Sequence, residues 1–592
     1  MKKKKPIKKR RYITVMVLLS ALFLGLFGRL AYIMVTMSSK YKSIAEDQHT
    51  IDIQISAKRG RILDRNSSEL AINEDIYRID LDLNTLRQTL SDSKMSSSQL
   101  ADKLSTILNM KSEDILKILN TTLPSGLPAN SALLKRQIEK TLIDQVKALK
   151  IRGIVISSDT KRYYTNGDFM TSVLGLVNYE GKGISGVELS YDKELSGTPG
   201  STIYEKDARS NQLPYQSPKT TQPTAGKDII LTIDSNIQQF AEKAAEKALK
   251  DNKAKAVNII VMNPQNGEIL AMANKPSMDL NNTSSAANNP KAVGMLWKNP
   301  SVQDNFEPGS IFKVITAACA LENNIGLNDA YTCSGSIKVD GTIMHCWDLN
   351  GHGSESFVDI IKNSCNVGFA ELGSKLGKDK LIATSKKMGF GQATGIDLPG
   401  ESTGILRSPA NTNNVDLAAL SFGQGVAVNQ VQYMAAFNAI ANGGTWIRPH
   451  IMQGIAHIGD SNSEVVDKKY DDYGKKTVYD SNLASQLRQD LVKVVSEGVA
   501  KNAFVQGLDI AGKTGTAQIT DPATGKYAPG KYMSSFAGMA PAANPKITIL
   551  ISVNEPSGSS YYAGDVSAPV AKVMFQQIFN YIALKGENNV LK

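Results

Sequence analysis

Over its 592 residues the chain has only four cysteines, five histidines and three tryptophans. So few cysteines in so long a chain exclude a small disulfide-framework fold, even in an exported protein. No internal repeat is visible, which excludes solenoids and propellers. No basic patch is interleaved with stacking aromatics, so nucleic-acid binding has little support. The net charge of +11 does not change this, because eight Lys or Arg residues fall within "MKKKKPIKKRR" at the start. The remaining chain carries about +3. A chain of this length exceeds what one core serves and calls for two or more domains.

Long apolar runs are scarce too, but there is one. Residues 12–37, "YITVMVLLSALFLGLFGRLAYIMVTM", would extend roughly 37 Å as a helix, enough for a hydrocarbon core of roughly 30 Å. A cleaved signal peptide would be shorter and end at a small-residue site. Here the run continues eight residues past Arg29 without one, which favours an uncleaved anchor. Residues 1–11 then form a basic tail that the positive-inside rule keeps in the cytoplasm, and the chain after about residue 40 lies outside the membrane. Arg29 within the span is a cost unless it snorkels or meets a partner helix.

Behind the anchor, "IDIQISAKRGRILDRN" alternates like strands meeting a charged turn. Residues 82–150 have helix-like spacing, as in "SSQLADKLSTILNM" and "LLKRQIEKTLIDQVKALK". "RGIVISS" reads as a strand and the proline-bearing "NQLPYQSPKTTQPTAG" (211–226) as a linker, with the main boundary near 226. Beyond it comes the strand "KDIILTID" and the helix "SNIQQFAEKAAEKALKD" with a Ser cap. Strands "AVNIIVMNP", "GEILAMAN" and "KITILISVN" enclose a block of helical runs, the pattern of a sheet with helices on both faces.

The chemistry begins at "NFEPGSIFKVITAACALE", where Pro308 and Gly309 precede a helix starting near Ser310. Lys313 is one turn on, over the serine. A serine hydroxyl needs a base, and a neutral lysine serves if its pKa falls by about three units, an environment worth roughly 4 kcal/mol. Burial and a second cation, Lys513, would supply that fall. Ser-x-x-Lys alone is weak and recurs at Ser39–Lys42 and Ser91–Lys94. What raises it is the later Ser364-Cys365-Asn366, followed by Lys513-Thr514-Gly515-Thr516 in the single Lys-Thr-Gly of the chain. Ser-x-x-Lys, Ser-x-Asn and Lys-Thr-Gly in this order form the signature of penicillin-interacting serine enzymes.

On these motifs the chain resembles a class B penicillin-binding protein, a monofunctional peptidoglycan D,D-transpeptidase, of the division and stage V sporulation protein D branch. "RGRILDRN", "KRYY", "GISGVE" and "LSGTPG" resemble the motifs of that family's pedestal, or dimerisation, domain. "LTIDSNIQ", "MGFGQATGIDLPGE", "LSFGQGVAVNQVQ" and "SFAGMAP" resemble landmarks of its transpeptidase domain. The resemblance implies an elongated α+β pedestal over 38–226 and an α/β, serine β-lactamase-like transpeptidase domain over 227–592. It makes Ser310 the nucleophile on a D-Ala–D-Ala carbonyl and Lys313 its base. Ser364 becomes a proton relay and Asn366 a holder of the donor peptide. Lys513, Thr514, Gly515 and Thr516 receive the terminal carboxylate, and the Ser310 and Thr516 N–H groups form the oxyanion hole. Stem peptides and β-lactams are the implied ligands, and a membrane-embedded glycosyltransferase is the implied partner in septal or spore cortex wall synthesis. Two departures stand out: Asn66-Ser67-Ser68 where Asn-Gly is usual, and Asn429 where Thr is usual. A β-lactamase or penicillin sensor, and a non-catalytic wall scaffold, remain as alternatives.

The reaction calls for no cofactor. Yet Cys333, Cys346, His352 and Cys365 all lie in the segment joining Ser310 to Asn366. Three thiolates and an imidazole make a full tetrahedral zinc set with no open position, hence a structural site. His345 is an alternative to His352, a disulfide such as Cys333–Cys346 is the rival pairing, and free thiols are the third possibility. Cys319, in a small-residue helical run, reads as core. His450 and His457 read as structural.

Overall fold

The computed structural model describes residues 9–41, 50–55, 57–124, 126–205, 219–283, 290–459, 464–470, 474–521 and 523–586. Residues 1–8 of the basic tail and 211–218 of the expected linker lie outside them. The chain divides into two compact units, one of Met1–Lys58 with Gly197–Ala225, the other of Arg59–Ser196 with Gly226–Lys592.

In the first unit the apolar run forms one helix, Lys9–Val35, long and apolar enough to cross a membrane. Its leucines and phenylalanines are exposed all round, as lipid-facing residues are. A strand at Thr50–Ile55 pairs antiparallel with Gly200–Glu205, which in turn pairs with Lys219–Thr221.

The second unit carries two large sheets. One mixes strands from either side of residue 226: Ile62–Leu63 pairs with Asp228–Leu231 on one edge and Glu69–Asp82 on the other. Glu69–Asp82 also pairs with Ser131–Ile138 and Ile154–Tyr164. Helices Leu83–Asp92, Ser97–Leu108, Ser112–Leu119 and Lys140–Ala148 pack on this part around a small core of their own. The helical reading of 82–150 thus needs one correction, because residues 131–138 form a strand. Leu134 and Ile138 are the buried pair there, and a spacing of four suits either period. Pairing with Glu69–Asp82 and the Arg136–Asp159 ion pair decide for the strand.

The other sheet is five-stranded and antiparallel, ordered Ile269–Lys275, Ala256–Met262, Ile547–Asn554, Tyr527–Ala540, Ala511–Thr520. Its inner strands are buried almost throughout because helices cover both faces. Ser235–Asp251 and Ala568–Lys585 pack together on one side, and Gln430–Ala441 and Ser481–Ser496 on the other. Asp234, not Ser235, caps the first of these, its carboxylate accepting from the N–H groups of Asn236 and Ile237. The strand Ala511–Thr520 closes the order, with no strand paired on its other edge among the described residues.

Near the start of the second unit Glu188, wholly buried, binds the guanidinium groups of Arg59 and Arg162 at 2.7 and 2.6 Å. Both departures from the family pattern have physical readings. Asn429 caps Gln430–Ala441 by accepting from the Gln432 N–H at 2.7 Å, the service a threonine would give. Ser67 stands at φ +61, the left-handed region in which the usual glycine costs nothing. Ser67→Gly is therefore expected to stabilise the fold by about 0.5–1 kcal/mol, the strain relieved less the unfolded-state entropy glycine adds. A lower melting temperature for that variant would refute the strain account.

Candidate active site

Ser310 lies in a single 3-10 turn, Gly309–Phe312, that runs straight into the helix Lys313–Asn323. The turn is wedged against the strand Ala511–Thr520. Gly309 has φ +53, and a Cβ on it would come 2.9 Å from the Ala517 Cβ, so glycine is required twice over. From the other side the Gly309 N–H donates to the Gly423 carbonyl at 2.9 Å. The Tyr433 hydroxyl donates to the Ile311 carbonyl at 2.9 Å. The Ser310 hydroxyl itself has no hydrogen-bond partner among the described residues and is free to attack.

Lys313 is fully buried. Its Nζ donates to the Ser364 carbonyl at 2.7 Å, the Asn366 Oδ1 at 2.7 Å and the Ser364 hydroxyl at 3.2 Å. Lys513, also fully buried, donates to the same Ser364 hydroxyl at 2.8 Å and to the Thr514 carbonyl. The structure thus brings Lys313, Ser364, Asn366 and Lys513 together around one hydroxyl. Ser364 stands at φ +55, a strained conformation for a non-glycine residue that aims its hydroxyl between the Lys313 and Lys513 nitrogens. Gly515 is in tight contact with the serine turn, a Cβ there meeting the Pro308 carbonyl at 2.9 Å. Thr514 is buried, and the Thr516 hydroxyl accepts from the Ala563 N–H at 3.0 Å.

Burial lowers the Lys313 pKa to about 8, against the pull of the nearby thiol and carboxyl groups. The expected help from Lys513 runs the other way. Burial, and then the Lys313 charge, push Lys513 well below its ordinary value. A proton shared between them therefore rests on Lys313, where three oxygens receive it. Lys513 yields because it is buried and has a cation beside it.

Cys365 answers to a different environment from its neighbours. It is the N-cap of the helix Asn366–Leu376, its Sγ accepting from the Gly368 N–H at 3.3 Å. Cys333, Cys346, His352 and Cys365 place one ligand atom each within 4.8 Å of all the others. None of the four cysteines forms a disulfide, and all are buried. The Cys346 Sγ also accepts from the Asn366 N–H at 3.4 Å, tying the cluster to the Ser-x-Asn turn. A hydrogen bond from the Cys365 thiol, together with that N–H, pulls the Cys346 pKa down to about 4. His352 Nε2 is buried with no hydrogen-bond partner among the described residues, and its Nδ1 stands 3.8 Å from the Cys346 Sγ. His345, the alternative, is outside the group; its carbonyl accepts from Asn366 Nδ2 at 3.1 Å. Glu355, buried beside His352, escaped the sequence reading, since only its position three residues on gives any signal. Cys319 is core, as read. His450 is buried against the Tyr470 ring.

The comparisons with known proteins agree with this geometry. A family profile described as penicillin binding protein transpeptidase domain matches residues 257–576, and one described as penicillin-binding protein dimerisation domain matches 54–231. Stage V sporulation protein D of Bacillus subtilis is 34% identical over 99% of this chain and 88% of that protein. Peptidoglycan D,D-transpeptidase FtsI of Escherichia coli is 27% identical over 92% of this chain and 87% of that protein. The crystal structure of penicillin binding protein 2X from Streptococcus thermophilus superposes with a TM-score of 0.70. It is 27% identical and covers 90% of this chain and 81% of that one. Fold and site define a serine transpeptidase of the penicillin-binding kind. The chain belongs to the class B penicillin-binding proteins, of the division and stage V sporulation protein D type.

The base must be neutral to act, so acylation by a penicillin is expected to rise with pH. The slope should be about tenfold per unit below about 8, levelling above it. Lys313→Ala and Lys313→Arg should both abolish labelling, the second because a guanidinium keeps its proton. A flat profile between pH 6 and 8.5, or labelling of either variant, would mean that the base is elsewhere.

Proposed function

We propose that this protein cross-links peptidoglycan as a D,D-transpeptidase through an acyl-enzyme on Ser310, and that β-lactams acylate the same residue. The observation that carries the reading is the convergence of Lys313 and Lys513 on the Ser364 hydroxyl beside a free Ser310. Neutral Lys313 takes the Ser310 proton as the oxygen attacks the carbonyl of the penultimate D-Ala. Negative charge on the carbonyl oxygen is received by the Ser310 and Thr516 N–H groups, each worth roughly 3–4 kcal/mol. Collapse breaks the C–N bond, and the terminal D-Ala leaves with a proton relayed through Ser364. Lys513, Thr514 and Thr516 hold its carboxylate. An amine from a second stem peptide then attacks the ester, gives its excess proton to Lys313 and restores the serine. Asn366 holds the donor backbone through its side-chain amide. Ser310→Ala should lose both fluorescent penicillin labelling and cross-linking. Rapid release of the bound drug from the parent protein would favour the β-lactamase reading instead.

The N-terminus faces the cytoplasm in this proposal, with the catalytic domain outside, because eight basic residues precede the span. The division and sporulation relatives support work in septal or spore cortex wall synthesis. A membrane-embedded glycosyltransferase is the proposed partner, contacted through residues 12–37 and the pedestal, where Arg29 would find its counterpart. Co-purification of the two should survive Ser310→Ala and weaken when residues 12–37 are replaced by an unrelated span; an unchanged yield would refute it.

We also propose that Cys333, Cys346, His352 and Cys365 hold a structural zinc ion. The donors fit: three soft sulfurs and an imidazole stand within 4.8 Å of one another, and His352 Nε2 has no protein partner. Bound metal supplies cross-linking of the segment, not a reacting group. The chain's own part is to hang Ser364 and Asn366 on Cys365 and Cys346. About one zinc per chain is expected by elemental analysis, with a lower melting temperature in chelator. Cys365→Ser should slow acylation while Ser310 remains intact. Metal-free protein of full activity, or a mass two hydrogens light for a cysteine pair, would overturn the zinc reading.

A further inference from the structure

The helix Phe357–Lys362 leads the chain into the Ser-x-Asn turn, and the way it ends decides where Ser364 points. Asn363 caps it with a helical backbone, and Ser364 follows in the left-handed region at φ +55. The Ser364 N–H donates to the Ile361 carbonyl at 3.2 Å, and the Cys365 N–H to the Ile360 carbonyl at 3.0 Å. These are the two bonds of a Schellman ending, whose left-handed position usually falls to glycine. A serine there is strained, so the turn is only as firm as the contacts that hold it.

Asn366 has three such contacts of its own. Its N–H donates to the Cys346 sulfur and its Nδ2 to the His345 carbonyl, while its Oδ1 accepts from Lys313. The Ser364 hydroxyl has only the two lysine nitrogens among the described residues, so its place depends on the backbone before it. There the Asn363 carbonyl, one of those a helix end leaves without a partner, accepts from Trp347 Nε1 at 2.9 Å. That carbonyl and the Ser364 N–H belong to one planar peptide group. Trp347 holds one side of the plane and the Ile361 carbonyl the other, so Ser364 cannot leave its left-handed state without breaking one of the two bonds. The Asn363 side chain is engaged as well, its Nδ2 donating to Oε1 of the buried Glu355 at 3.0 Å. Trp347 is 46% exposed, so its ring is not a core residue; its one polar hydrogen is spent on this carbonyl.

We infer that Trp347 is a positioning residue for the reaction. Through the Asn363 carbonyl it fixes the peptide plane that carries the Ser364 hydroxyl to Lys313 and Lys513. It touches neither substrate nor nucleophile, and it acts on Ser364 more than on Asn366, which is held independently. The inference rests on the proposed proton relay through Ser364.

The test follows acylation of the full-length protein by a fluorescent penicillin, resolved into the binding step and the covalent step. Trp347→Phe keeps a ring and loses the donor. It should slow the covalent step by about threefold to tenfold, the range in which a single hydrogen bond acts, and leave binding unchanged. The final extent of labelling should equal the parent's. A merely structural fault would instead leave part of the protein unlabelled and the rest reacting at full rate. Replacing Trp347 by benzothienylalanine, in which sulfur takes the place of the N–H in the same bicyclic ring, should slow the covalent step to the same degree. In a Ser364→Ala background Trp347→Phe should add almost nothing, because the group it positions is gone. A parent-like covalent rate in Trp347→Phe, or the same slowing with and without the Ser364 hydroxyl, would overturn the inference. Failure of the underlying reading looks different: Ser364→Ala would then label at the parent's rate, and the inference would fall with it.

Discussion

Everything at this site depends on one buried ammonium. Lys313 has no exposed surface, and an unpaired charge so placed would cost several kcal/mol. Three oxygens make it tolerable, and all three come from Ser364 and Asn366. The requirement therefore acts in both directions. The lysine sets the shape of the Ser-x-Asn turn, the turn satisfies the buried ammonium, and burial lowers the lysine's pKa to about 8, where it can serve as a base. The strain at Ser364 belongs to the same balance. A left-handed serine costs on the order of 1–3 kcal/mol, and the fold keeps it because relaxing it would take an acceptor from both the buried Lys313 ammonium and the Lys513 nitrogen.

The second constraint is steric and sets where the nucleophile sits. The serine turn and the strand Ala511–Thr520 approach so closely that Gly309 and Gly515 have no room for a Cβ. No other strand pairs with that edge among the described residues, and the serine turn lies against the same strand. The sheet's helical covering on both faces makes the edge rigid, which a preorganised oxyanion site requires.

Much of this was legible in the residues because the chemistry is carried by short motifs with little freedom. Ser310, Lys313, Ser364, Asn366 and Lys513 could be picked out without a structure, and three of the five strands of the antiparallel sheet read as apolar runs, whereas Ala511–Thr520 and Tyr527–Ala540 did not. What escaped depends on distance in space. Residues 131–138 have a spacing that serves helix and strand equally, and only the partner strand Glu69–Asp82 decides between them. The direction of the Lys313–Lys513 interaction could not be read from types alone, because it turns on the burial of both nitrogens and on the thiol and carboxyl groups that fold around Lys313. Trp347 and Glu355 belong to no motif and meet Asn363 only after the chain has folded.

The cysteine inside the Ser-Cys-Asn triplet shows why a reactive residue type need not be the reactive group. Ser364 points at the lysines through a left-handed backbone, and Asn366 begins a helix. The residue between them must turn the chain from one to the other, which is the task of an N-cap. A capping side chain has to accept from the first turn of the helix, and the Cys365 sulfur does so toward Gly368. Serine or aspartate would cap more strongly. A sulfur at this position gains something they lack, the company of Cys333, Cys346 and His352. The Asn366 N–H on the Cys346 sulfur links the same helix start to that cluster a second time. The catalytic loop is thereby fixed from behind by sulfur and from the front by nitrogen, and the orientation of Ser364 and Asn366 follows from the two together.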